Sequence, residues 1–421
     1  MTSYKVLPSS DVKPDVFYGY VVVVAALCIL IAVWSTYYAF GVFFKPMLAE
    51  FGWTTAMVSG AFSISMVVQS LIGVVVGGLT DRFGSRIVMT LCGFLLAIGY
   101  SLMSRANAAW QLYVFYGVVI GIGMSGSFIP LTSTVARWFI KKRGIMTGVI
   151  LSGSGIGAMI GPPVATRLIS TYHWRVSYLI MGGAVLVVIT LAAHFLRRDP
   201  TQMGQVPYGE SAEKQRLGIG LWGLSLKEAV YTGQFYILLA MLFCFGFSMF
   251  ALMVHIVPHT TELGFSALTA ANIPATIGGL IIVGRLLLGR AADRFGNRPI
   301  FIIGFILMSA AVLWLVTAKE IWMLYLFAAV FGFATGGMGT SESPIVAELF
   351  GLHSHGLILA IAGCGFTMGA AAGPFVAGYL FDIAGNYRGA FLVCTAISII
   401  GLILTLLLTP VKAKPDKRIP I

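Results

Sequence analysis

Runs of roughly 18 or more largely apolar residues return along nearly the whole chain, each long enough to cross about 30 Å of hydrocarbon as a helix. Twelve segments are expected, at 17–44, 54–80, 87–105, 110–136, 144–171, 174–196, 234–258, 269–290, 299–317, 321–346, 356–382 and 387–409. With 58% apolar and only 10% charged residues, the chain carries more apolar surface than a soluble core can bury. It reads as an all-α polytopic membrane protein.

The net charge of +12 does not point to nucleic acid, because the basic residues lie in short loops between apolar segments rather than in an aromatic-interleaved basic domain. The five cysteines all fall within apolar segments and share no ligand spacing, so neither disulfides, a metal nor any other cofactor is expected. Residues 1–16 hold Asp11 and Asp15 ahead of an apolar run too long for a signal peptide, so the first segment should be retained. Twelve crossings put both ends on one side. The loops and tails on that side hold 20 of the 27 Lys and Arg residues and the opposite loops hold 6. The positive-inside rule then makes both termini cytoplasmic, most simply at the cell membrane.

The longest connection, 197–233, is polar and divides the segments into halves at 1–196 and 234–409, with a tail at 410–421. The halves match at a constant offset of 212: Asp81-Arg82-Phe83-Gly84 with Asp293-Arg294-Phe295-Gly296, Gly157 with Gly369, Gly161-Pro162 with Gly373-Pro374, and Glu50 with Glu262. Arg285 breaks the symmetry, since its counterpart is Gly73. A lone guanidinium at mid-segment costs at least about 2.5 to 3.5 kcal/mol to insert, so it faces a cavity or a partner. Its planar fork suits the two oxygens of a carboxylate. Arg285 is therefore expected to be an anion-binding centre.

Glu342 is the one acidic residue expected well inside a span. Two readings stay open for it, a proton carrier and the partner in an inner-gate salt bridge. His255 and His259 fall near the far end of the seventh segment, where a solvated imidazole needs no function but His255 is available for proton coupling. Tyr37, Tyr38 and Tyr116 sit near mid-depth, where their hydroxyls reach a bound 2-hydroxy or 2-oxo acid or serve only packing. Cys364 and its repeat partner Ser152 fall at the level of Arg285 and line the same cavity. Gly121 to Gly126 fits GxGxxG, yet it lies in an apolar helix with no preceding strand, so close helix packing explains it better than a nucleotide.

A parallel repeat of six helices is the arrangement of major facilitator transporters, whose substrate sites lie near mid-membrane between the halves. The loop Gly77 to Arg86, repeated at Gly289 to Arg298, resembles that superfamily's hallmark between helices 2 and 3. The resemblance implies a conformational latch made by Asp81, Arg82, Arg86, Asp293, Arg294 and Arg298; solvated charges at a topogenic turn are the plainer reading. Phe17-Tyr18-Gly19-Tyr20, with Phe40 to Phe44, and Trp138 to Gly148 are similar to signatures of the monocarboxylate transporters, a family near the oxalate/formate antiporters. In that family Arg285 matches the arginine that holds substrate carboxylate. The lysine of the first helix falls at Tyr38 and the aspartate of the eighth at Ile281, so neither of the family's proton-coupling groups is present. No Lys or Arg stands between Gly356 and Asp382, where an oxalate-type antiporter carries a lysine.

These residues imply a monomeric carrier that moves a short monocarboxylate such as lactate or pyruvate with a proton, by alternating access. A carboxylate antiporter is the nearest alternative, and a non-transporting membrane sensor a more distant one. An enzyme is not expected, because no nucleophile with a base and no metal cluster falls in the spans.

Overall fold

The structure, a computed structural model, describes residues 17–139, 142–208, 223–351 and 354–409, apart from the side chains of Asp81 and Arg143. The tail expected at 410–421 and part of the connection expected at 197–233 lie outside those residues. Among the described residues, eleven helices are long and apolar enough to cross a membrane. The longest holds two crossings, because His173 breaks it with φ 70°. Twelve helices result: α1 Gly19–Phe51, α2 Thr55–Phe83, α3 Ser85–Met103, α4 Ala109–Trp138, α5 143–172, α6 174–195, α7 Gly233–Glu262, α8 Ala267–Phe295, α9 Asn297–Thr317, α10 Ile321–Phe350, α11 His355–Ala384 and α12 Arg388–Leu407. The expected connection is not wholly irregular, since Leu226–Val230 is a helical turn closed by a Ser225–Glu228 capping box.

The repeat holds at the level of the backbone. The turn glycines Gly52 and Gly264, and Gly84 and Gly296, take positive φ in pairs at the 212 offset. The break at His173 answers in position to Gly385, which also takes positive φ, at 67°. Thr54 and Ser266 cap α2 and α8 alike, accepting from Met57 N at 3.2 Å and Thr269 N at 3.1 Å. Gly157 and Gly161 of α5 lie against the backbone of α1 at Trp34 and Ser35, and Gly369 and Gly373 of α11 lie against α7 at Phe243 and Phe247. A side chain at any of these four positions would strike backbone, so these helices approach as only glycine allows. The GxGxxG run packs in the same manner, with Gly123 on Leu96, Gly121 on Ser65 and Gly126 on Cys92.

The first and last described residues meet one face of the bundle, where Tyr18 donates to Phe195 O and Gln234 bonds the end of α12 at Leu407 and Thr409. This is the terminal face; its opposite is the distal face. The halves touch along two seams, α2 with α11 and α5 with α8, and where α1 meets α7. The seam contacts run from mid-depth to the distal face: Gly155 on Gly278 at mid-depth, and Gly378 on Ser59, Phe375 on Gly60 and Gly41 on Val254 beyond it. Toward the terminal face Gly78, Gly144 and Gly148 have open space within 4 Å. Leu71 and Val74 of α2, Ile145 of α5, Leu286 of α8 and Leu357 of α11 are exposed there. The molecule is closed at the distal face and parted at the terminal one.

Candidate functional site

The site is built on α8. Gly284 lies against the carbonyl of Phe333, and Gly332 and Gly336 of α10 lie against Ile277 and Ile281. This contact fixes the rotation of α8, and the next residue, Arg285, emerges toward α5 of the other half. Its Nη1 donates to the carbonyl of Leu151, and its Nη2 donates to Ser154 Oγ at 3.2 Å. Ser154 in turn donates to Leu151 O at 3.0 Å. The acceptors are neutral, and no carboxylate pairs with Arg285 among the described residues. Hydrogen bonds to a charged group contribute about 1.5 to 3 kcal/mol each, which holds the cation in place without neutralising it.

Tyr38 is the expected site residue that joins Arg285. It is buried, its ring lies 5.1 Å from that of Trp34 and 6.4 Å from Phe250 of α7, and its hydroxyl falls within electrostatic range of the guanidinium. Tyr37 and Tyr116 instead turn into the N-terminal half. The Tyr37 hydroxyl pairs with Ser65 Oγ at 2.8 Å, and the Tyr116 ring lies 4.3 Å from Phe40. Tyr116 belongs to a π-helical stretch, Tyr113–Ile120, and its buried hydroxyl has no partner.

Ser152 donates to Val149 O at 2.6 Å on its own helix, so Ser154, two residues on, is the serine that meets the arginine. Two positions on a helix point to nearly opposite sides, so helical phase around Arg285 would have been needed to find Ser154 from sequence. Cys364 is half-buried on α11 and reaches only Ala360 O, at 3.5 Å. Glu342, half-buried on α10, faces α11, with Oε1 3.9 Å from where a Cβ on Gly363 would sit. It makes no ion pair among the described residues, so the gate salt bridge is not formed in this state.

His255 is fully buried, not solvated: Nδ1 meets the Tyr387 hydroxyl at 3.1 Å and Nε2 meets Pro374 O at 2.8 Å. Both ring nitrogens are thus engaged within the C-terminal half. His259, one turn on, packs its ring edge-on to Phe391 at 4.8 Å.

The repeated charged loops do not meet across the halves. Arg82 and Arg294 each lie over the phenylalanine that follows, at 5.2 Å and 5.4 Å. Arg86 bonds His194 Nδ1 at 2.8 Å, and Arg298 donates to Thr405 O at 3.2 Å and Leu406 O at 2.5 Å. Position 406 is the repeat counterpart of 194, so both arginines brace the third helix of a half to its sixth. Asp293 makes no ion pair among the described residues, and the side chain of Asp81 lies outside them.

Twelve helices in two repeated halves around a central cation define a membrane carrier, and comparison with known proteins agrees. The profile of the Major Facilitator Superfamily matches residues 25–291 and again 275–420, and the chain belongs to that superfamily. Within it the chain is similar to monocarboxylate transporters. It is 27% identical over 394 residues to monocarboxylate transporter 13 of Rattus norvegicus, covering 92% of this chain and 88% of the relative. It is 24% identical over 410 residues to monocarboxylate transporter 12 of Homo sapiens, covering 91% and 79%. It is 25% identical over 397 residues to monocarboxylate transporter 4 of Gallus gallus, covering 92% and 81%. Among solved structures, an inward-facing, unoccupied bacterial homologue of the human lysosomal transporter Spinster superposes with a TM-score of 0.74 at 15% identity, over 94% of this chain and 97% of that one.

Proposed function

We propose that this chain carries short monocarboxylates, of the size of lactate or pyruvate, together with a proton, by alternating access between the two halves. The observation that carries the reading is Arg285: a cation at mid-helix, on the seam between the halves, held among the described residues by neutral oxygens alone. A carboxylate entering from the parted face displaces Ser154 Oγ and the Leu151 carbonyl and takes the guanidinium fork in their place. Tyr38 stands beside that position to bond a 2-hydroxy or 2-oxo oxygen. One fixed cation matches one carboxylate, and the similarity to transporters whose names specify monocarboxylates supports the same cargo class.

Proton coupling follows from the charge carried. Moving a bare anion into a cell against a negative potential costs about 2.3 kcal/mol per 100 mV, whereas an anion with a proton is neutral. Glu342, without an ion pair among the described residues and beside α11, is the proposed proton carrier. With both termini in the cytoplasm of a cell-membrane protein, the parted face is the inward one, and the repeated Asp-Arg loops are apart because they latch the opposite state.

Uptake of labelled lactate and pyruvate into liposomes holding the purified protein, with and without an inward proton gradient, tests the reading. The gradient should accelerate wild type. Arg285→Ala should abolish uptake, and Arg285→Lys should lose about tenfold or more, since an ammonium cannot offer the bidentate fork. Wild-type uptake by Arg285→Lys, or counterflow indifferent to the gradient, would overturn the site or the symport.

A further inference from the structure

Packing closes most of the distal seams, but at one point a carboxylate does so. Asp382, in the last turn of α11, accepts the N–H of Thr55 at 2.9 Å on one oxygen and that of Ala56 at 2.7 Å on the other. These are the first two amides of α2, and the first four amides of a helix have no partner within it. Thr54 satisfies another of them, Met57 N, from the near side. The start of α2 is therefore capped partly by its own loop and partly by the opposite half. A negative group here also meets the positive end of the helix dipole.

The surroundings favour this contact. Gly378, one turn before Asp382 on α11, lets the two helices close until a Cβ placed there would meet Ser59 Oγ at 2.5 Å and Thr55 O at 3.0 Å. Among the described residues no cation forms an ion pair with Asp382. At the pseudo-equivalent place on the other seam stands Ser170, whose hydroxyl donates to Arg167 O at 2.8 Å within its own helix.

We propose that Asp382 is the positioning residue that holds the distal gate shut: its carboxylate caps α2 across the seam in this state, and it must release the amides of Thr55 and Ala56 for the distal face to open. This role belongs to the seam and stands whichever anion is carried.

Spin labels at Asn107→Cys and Lys319→Cys, exposed distal-loop positions related by the repeat, report the separation of the halves by pulsed electron resonance once the five native cysteines are replaced. In lipid nanodiscs, Asp382→Ala should raise the long-distance population about two- to thirtyfold over the parent, the factor that loss of a helix cap commonly produces. Asp382→Asn, which keeps one acceptor oxygen, should fall between, and it decides by the same readout if the alanine variant does not fold. Glu50→Gln cuts a tie between α1 and α6 inside one half and should leave the distribution unchanged. Distributions of both Asp382 variants superimposable on the parent, or an equal shift from Glu50→Gln, would overturn the proposal. The readout needs no transport, so it fails or succeeds apart from the Arg285 reading.

Discussion

The two seams join the same halves by different means. Where α2 meets α11, the halves are tied at the rim, by Asp382 on the first amides of α2. Where α5 meets α8 they are tied at the waist: Gly155 and Gly278 abut backbone to backbone, and Arg285 crosses to Leu151 and Ser154. The rim of that second seam holds a crevice of about 380 Å³, bordered by Ser170, Lys45, Pro258 and Ala267. Ser170 and Ala267 are the repeat counterparts of Asp382 and Thr55. A symmetric scaffold has thus placed a carboxylate across one seam and an arginine across the other. On the proposed reading, an anion at Arg285 loosens the α5–α8 seam while the α2–α11 seam still holds.

Substitutions separate the two. The largest effect is expected from Gly278→Val, because a Cβ there runs into the Gly155 carbonyl, which cannot rotate aside. Overpacking of this kind costs about 1 to 3 kcal/mol, enough to shift the closed state by a factor of about 5 to 150 in the spin-label distances. Gly378→Ala should be milder, at about 1 kcal/mol, since the first atom met is the Ser59 hydroxyl, although Thr55 O follows. If Gly378→Ala opened the distal face more than Gly278→Val, the waist would not be the firmer tie. The smallest effect runs in the other direction: Ser170→Asp supplies to α8 the carboxylate that α2 already has. It should deepen distal closure by about 0.5 to 1 kcal/mol and slow transport, and an unchanged distance distribution would show that the rim of the second seam lies too far apart to be capped.

Much of this was legible in the sequence. The apolar runs fixed the crossings, and the 212 offset identified turns whose glycines take positive φ in pairs. Arg285 stood out because a charge in hydrocarbon is expensive and its counterpart is Gly73. What could not be read was which way side chains face. A span apolar on every side gives no helical phase, so Ser152 was expected where Ser154 stands, and Tyr37 looked as exposed to cargo as Tyr38. His255 looked solvated because its partners, Tyr387 and the carbonyl of Pro374, lie 132 and 119 residues away. Asp382 gave no signal in the sequence for the same reason, since the amides it accepts lie 327 and 326 residues upstream. Arg86 and Arg298 looked like halves of a latch, and in this state each braces its own half.

The bond from Arg285 to Leu151 also bears on how the protein is made. Of the eleven apolar spans, the one holding α8 has the lowest mean hydropathy, and its arginine adds about 2.5 to 3.5 kcal/mol to the cost of entering the bilayer. The oxygens that receive the guanidinium belong to α5, which precedes α8 in the chain and reaches the membrane first. Chain order therefore lets an already inserted N-terminal half act as the template on which the least apolar segment of its sister half is accepted. A C-terminal half synthesised alone would have to insert α8 without that template.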